Sequence, residues 1–128
     1  MQKLLKIDNI MFYVKDLAKA SEFYEKELGL KKAWHDEKQK MVGFIFEKSD
    51  SEIVIHSNPE LPNPDFSFLV ENVESFCNEH KQNGYKFLQE PMEVRCGKFA
   101  IITDLDGNKI PIIDLTKFGG EPKYDENN

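Results

Sequence analysis

Ile7-Asp8-Asn9-Ile10-Met11-Phe12-Tyr13-Val14 leads into Lys15-Asp16-Leu17, and Asn63-Pro64-Asp65-Phe66-Ser67-Phe68-Leu69-Val70 leads into Glu71-Asn72-Val73. The two stretches say nearly the same thing. Ile10 matches Phe66, Phe12 matches Phe68, Val14 matches Val70 and Leu17 matches Val73, all at one offset. Gly29 then recurs as Gly84, and Ile53-Val54-Ile55 as Ile110-Pro111-Ile112. A repeat of this period means two copies of one supersecondary unit.

Working outward, each copy has the same order. Ile10, Phe12 and Val14 alternate with Asn9, Met11 and Tyr13, which is the mark of a two-faced strand. Asp16 is placed to cap a helix carrying Leu17, Ala20, Phe23, Tyr24 and Leu28, and Gly29 to stop it. Strands follow over 30–37, 41–47 and 52–57, with Ser49-Asp50-Ser51 as the turn before the third. The proline-rich segment 58–64 reads as a linker. The second copy predicts strands over 65–71, 85–89, 98–103 and 109–115, and a helix over 73–83 with Val73, Phe76, Cys77 and His80 on one face. The turn Asp104-Leu105-Asp106-Gly107 precedes the last strand. The tail from Thr116 through Gly119-Gly120 to Asp125-Glu126-Asn127-Asn128 is expected to fray.

The predicted fold class is α+β. Two tandem β-α-β-β-β units, about 5–57 and 65–115, make one domain across residues 1–128, with sheets curving around a shared cleft and helices outside. Parity assigns Ile10, Ile53, Ile55, Phe66, Ile110 and Ile112 to the helix side. It assigns Asn9, Met11, Tyr13, Val54, His56, Asp65, Ser67, Leu69, Pro111 and Ile113 to the cleft. That mostly apolar wall with a few polar groups has the composition of a small-molecule pocket.

The 128 residues are 40% hydrophobic with ten Phe, enough for one core, and carry a formal net charge of −6. No cluster of Lys and Arg pairs with aromatics, so a nucleic-acid surface is not expected. No long apolar run or signal peptide is read, which predicts a soluble cytoplasmic protein without membrane contact. Cys77 and Cys96 read as reduced thiols.

Val14-Lys15-Asp16-Leu17, Phe23-Tyr24, Leu28-Gly29-Leu30 and Asp104-Leu105-Asp106-Gly107-Asn108 together resemble the vicinal oxygen chelate superfamily. That group includes glyoxalase I, extradiol dioxygenases and the fosfomycin- and bleomycin-resistance proteins. The resemblance covers about residues 5–115, with Leu105 where the family's turn usually has Pro. It implies a divalent metal held by side chains at the positions of Asn9, Val54, Asp65 and Pro111. Val54 and Pro111 offer no ligand atom, and Asn9 and Asp65 alone do not make a transition-metal site. His56, on the same strand face as Val54, is the nearest substitute. No metal and no other cofactor are expected.

His56 and Tyr13 are the candidate catalytic or hydrogen-bonding groups, His56 because imidazole titrates near neutrality. Trp34 is the one tryptophan and a candidate stacking surface. Asp65 is placed to meet a cationic ligand group or to pair with a nearby Lys or Arg. Arg95 reads as a carboxylate or phosphate clamp or a solvated residue, His35 as solvated, and His80 as packing. Cys96, between Arg95 and Gly97-Lys98, is a thiol whose pKa those cations would lower. The leading functional expectation is a metal-independent small-molecule-binding protein of the bleomycin-resistance type, and a homodimer, as the resemblance implies. The alternatives are a glyoxalase-like lyase, isomerase or dioxygenase built around His56, and an interaction module with no ligand.

Overall fold

The computed structural model describes residues 2–119. The chain forms two compact units, one made of Asn9–Phe66 and the other of the residues up to Asp8 together with Ser67 onward. The fold is α+β, and each unit builds a four-stranded sheet with one helix.

In the first unit, β1 (Lys6–Tyr13) is followed by α1 (Leu17–Glu22), β2 (Lys31–Asp36), β3 (Met41–Phe46) and β4 (Ser49–His56). The strands lie in the order β2-β3-β4-β1, with β1 parallel to β4 and the other pairs antiparallel. In the second unit, β5 (Asp65–Leu69), α2 (Val73–Gln82), β6 (Phe87–Glu93), β7 (Lys98–Thr103) and β8 (Lys109–Ile113) give the order β5-β8-β7-β6. Parallel β5–β8 and antiparallel β8–β7–β6 repeat the pattern of the first unit.

The alternation fixes the cores. Beneath α1, Leu30, Val42, Phe44 and Ile55 are buried, with Val14, Leu17, Ala20, Tyr24 and Ile53 packed on them. Tyr24 stacks on Phe44 with ring centroids 5.9 Å apart, and burial raises its phenol pKa. Beneath α2, Val70, Val73, Phe76, Cys77, Ala100, Ile102 and Ile112 are buried, with Phe87 and Ile110 beside them. Phe12 pairs with Ile55 and Phe68 with Ile112 across the sheets, so both lie on the helix side as parity requires.

Several local expectations are corrected. The first helix is not one α-helix to Leu28. It gives way to a π-helical turn over Phe23–Glu27, closed by Leu28 N–H donating to the Phe23 carbonyl at 3.2 Å. That wider turn shifts the helical phase, so Phe23 and Leu28 are half exposed instead of packed on the core. Asp16 does cap α1, accepting from Lys19 N–H at 3.0 Å, and Gly29 takes φ +72°. Ser49-Asp50-Ser51 lies within β4; the turn is one step earlier, at Glu47-Lys48. β5 ends at Leu69 rather than at 71.

β6 runs two residues later and four residues further than 85–89. It accommodates Pro91 because it is an edge strand whose register with β7 shifts twice. Pro111 lies in an inner strand, yet the β7–β8 register runs through the Ile101–Pro111 pair without a shift. The ladder from β8 to β5 starts past it, at Ile112, so the missing N–H interrupts no pair of that ladder. The tail does not fray at Thr116. Thr116–Phe118 form a 3-10 turn, and Lys117 is held by Glu93 at 2.7 Å and by the Val94 carbonyl at 2.6 Å. Gly120 and Asp125-Glu126-Asn127-Asn128 lie outside the described residues.

Candidate functional site

The helix-free face of the Asn9–Phe66 unit is built of three cross-strand rows. Register places Lys31, Ile45, Glu52 and Asn9 in one row, Trp34, Gly43, Val54 and Met11 in the next, and Asp36, Met41, His56 and Tyr13 in the third. Of the residues expected from sequence, Asn9, Met11, Tyr13, Trp34, Val54 and His56 therefore share one surface. Asp65, at the start of β5, lies close enough to His56 to act on its titration. Trp34 reaches this face because β2 is bulged at Ala33, between the pairs Lys32–Phe44 and Trp34–Gly43. Strict alternation from Lys32 would have kept it on the helix side.

Trp34 lies flat over Gly43. A Cβ at Gly43 would stand 2.2 Å from the indole Cε2 and Nε1, so only glycine leaves room for the ring. The indole Nε1–H donates to Glu52 Oε2 at 2.6 Å. Glu52 is only 4% exposed. It was not singled out in the sequence, although its parity with Val54 and His56 was the available signal. The expected strand began at Glu52 itself, and the residue was left out of the cleft face. A half-buried indole held by a carboxylate over a glycine is a fixed aromatic plane.

His56 has no exposed surface. Its Nδ1 accepts from Asn58 N–H at 3.1 Å, so the neutral ring carries its proton on Nε2. Nε2 has no hydrogen-bond partner among the described residues. Leaving a buried donor unpaired costs about 1–3 kcal/mol. The Tyr13 ring stands 6.1 Å from the imidazole, and Tyr13 N–H donates to Asn63 Oδ1 at 3.1 Å, tying the proline-rich segment to β1. Burial lowers the His56 pKa, and the Asp65 charge opposes this more weakly. The folded state then resists protonation more than the unfolded chain, whose histidine titrates at about 6.5. Stability is therefore full above about pH 6.5 and falls as pH drops through that value toward the lower folded pKa. Chemical denaturation at pH 7.5 and 5.5 is expected to show this loss in the wild type and a smaller one in H56Q. An equal loss in both would mean that other groups set the slope.

In the unit from Ser67 onward, Leu69 pairs with Ile113, Ile113 with Phe99 and Phe99 with Met92, and Pro111 pairs with Ile101. Ser67 has the parity of Leu69. This helix-free face is apolar apart from Ser67, Gln89 and the Thr103–Lys109 pair. Ser67, Leu69, Pro111 and Ile113 thus belong to a different unit from the histidine and tryptophan.

The other candidates resolve into structural roles. Arg95 sits over the Phe118 ring at 5.4 Å. Cys77 and Cys96 are both free and buried. The expected lowering of the Cys96 pKa is corrected. Burial is the main cause pushing its thiol up to about 11, and the nearby Arg95 only partly opposes it. Lys98 instead pairs with Glu74, with Glu93 at 4.0 Å. His80 lies between Phe76 and Tyr85, with centroids at 6.3 and 5.0 Å, as a packing residue. His35 is exposed. A groove of about 390 Å3 between α2 and β6 is lined by Glu74, Cys77, Asn78, Lys81, Phe87, Glu90 and Pro91. It lies on the helix side, is mostly polar, and gathers no orphaned buried donor. The face carrying Trp34 and His56 is the better candidate.

A family model described as the Glyoxalase/Bleomycin resistance protein/Dioxygenase superfamily matches residues 6–112. The chain belongs to this superfamily. As a member, it is similar in fold to methylmalonyl-CoA epimerase from Mycobacterium tuberculosis, with TM-score 0.65 and 16% identity over 85% of this chain and 87% of that one. Streptomyces coelicolor methylmalonyl-CoA epimerase in complex with 2-nitronate-propionyl-CoA gives TM-score 0.63 and 16% identity over 86% and 94%. A glyoxalase/bleomycin resistance protein/dioxygenase superfamily member from Vibrio splendidus gives 0.55 and 13% over 88% and 97%. None of the curated proteins matches the chain. At these identities the likeness is one of fold. The superfamily's metal does not fit the residues here. Val54 and Pro111 have no donor atom, and Glu52 is turned to the Trp34 indole. Among the described residues, no three His, Cys, Asp or Glu side chains converge to hold an ion. No helix among them is long and apolar enough to cross a membrane.

Proposed function

We propose that this superfamily member binds a small planar molecule without a metal, in the manner of the bleomycin-resistance-type proteins, on the helix-free face of the Asn9–Phe66 unit. The observation that carries the reading is the Trp34 plane, cradled by Gly43 and locked to Glu52. A stacking plane with a few fixed polar groups around it is the composition of a binding site. Half-buried Met11 adds apolar area, whereas Val54, 3% exposed, has almost none left to bury. At about 25 cal/mol per Å2, a few hundred Å2 of buried apolar surface gives several kcal/mol before ordering costs. The fluorescence of Trp34, the chain's one tryptophan, reports binding directly. Titration with planar aromatic molecules is expected to change its emission saturably, and to leave it unchanged in W34A. Tight stabilisation by ligands that leave Trp34 emission unaltered would place the site elsewhere.

We also propose a homodimer in solution. Leu4, Leu5 and Ile7 are 41%, 49% and 48% exposed, an apolar edge suited to burial against another chain. Sedimentation equilibrium at micromolar concentration is expected to give twice the mass of one chain. The mass of one chain would refute the dimer.

A further inference from the structure

We infer that His56 serves the site as a fixed neutral hydrogen-bond donor through Nε2–H, and that the ligand presents an uncharged acceptor, a carbonyl or an aromatic nitrogen, beside its planar ring. This rests on the proposed binding face and specifies its chemistry.

Two observations carry it. The first is the tautomer. Asn58 N–H points at Nδ1 from 3.1 Å, which leaves the lone pair on Nδ1 occupied and the proton on Nε2. A histidine in this state has no free lone pair with which to take a proton from a substrate. It can only donate. The second is that this donor is buried and has no partner among the described residues. Buried polar groups are nearly always paired, so an orphan on the ligand-binding face is a group kept for something the protein holds only part of the time.

The nearby charge selects among acceptors. Asp65 acts on the imidazole from β5. A carboxylate or phosphate brought to Nε2 would meet that charge. An uncharged carbonyl meets no such repulsion and satisfies the donor. The half-buried Tyr13 ring, tilted 57° to the imidazole, is the neighbour that has to yield for an acceptor to arrive.

The test uses the whole chain with 15N-labelled histidine and tryptophan. Long-range 1H–15N spectra of the free protein at pH 7 are expected to show His56 in the Nε2–H tautomer. A proton on Nδ1, or a charged ring, would overturn the inference and leave the binding reading standing. Acetophenone, ethylbenzene and benzoate then serve as probes of similar shape. Acetophenone is expected to bind about tenfold more tightly than ethylbenzene and benzoate, one good hydrogen bond being worth that factor. It should shift His56 Nε2–H as well as the Trp34 indole N–H. H56L should bring acetophenone down to the ethylbenzene level, and H56Q, whose amide can donate, should restore most of the preference. Equal binding of all three probes at Trp34, with His56 unshifted, would overturn the donor role alone. If no probe moves Trp34, the stacking plane itself is refuted and the donor role falls with it.

Discussion

Replacing Asp114 by alanine is expected to lower the melting temperature by roughly 10–20 °C, the largest single-residue effect on stability in this fold. Asp114 is 1% exposed. One carboxylate oxygen accepts from Val73 N–H at 2.7 Å, at the start of α2. The other accepts from Lys98 N–H at 2.9 Å, from the Thr116 hydroxyl at 2.8 Å and from Thr116 N–H at 3.2 Å. One side chain thus ties the helix to the edge of β7 and to the chain leaving β8. A negative group there also suits the positive end of the helix. Alanine leaves the Val73 and Lys98 donors unpaired, at about 1–3 kcal/mol each when buried, and opens a cavity as well. The total is roughly 3–5 kcal/mol. G97A should do comparable damage by another route, because its Cβ would fall 2.0 Å from Asp114 Oδ1 and 2.7 Å from its carbonyl. Differential scanning calorimetry measures both. A D114A protein within about 3 °C of wild type would mean that water replaces the carboxylate at little cost.

The second large effect falls on binding. G43A is expected to expel the Trp34 indole, since the ring plane, not a flexible tip, occupies the space of the new methyl group. The indole–Glu52 hydrogen bond breaks with it, leaving a buried carboxylate short of a donor. Affinity for planar molecules should fall at least about tenfold, and the emission of Trp34 should move to the red as the ring enters water. Stability should drop by about 1–3 kcal/mol, the usual cost of overpacking. Unchanged emission together with unchanged affinity would show that Trp34 is no platform.

Much of this architecture was legible because two periodicities agreed. The repeat set the order of elements, and the two-residue alternation sorted Val14, Ile53 and Ile55 from Asn9, Val54 and His56 onto opposite faces. What escaped was local. The π-turn at Phe23–Glu27 leaves no signature in side-chain spacing, because it inserts a phase shift inside an otherwise helical pattern. The bulge at Ala33 moves Trp34 to the other face, and nothing about the residues Lys32-Ala33-Trp34 signals it. Glu52 was passed over because it stood at the very start of the expected strand, the turn having been placed two residues late. Asp114 read as one more residue of the last strand, because its partners, Val73, Lys98 and Thr116, are far from it in the chain or beyond the strand end. The orphaned His56 Nε2 depends on Asn58 N–H folding back over two residues, a turn geometry that composition does not report.

Metal-free binding at the Trp34 face can be measured directly. The most direct measurement is a fluorescence titration of chelator-treated, metal-free protein with planar carbonyl-bearing aromatics, run beside the same titration after one equivalent of Zn, Ni, Mn or Fe is added. The account predicts saturable one-site binding with the same affinity in both, and a matching rise in melting temperature, about 2.7 kcal/mol of stabilisation at a hundred times Kd. Binding or turnover that emerges only when the metal is restored would contradict it.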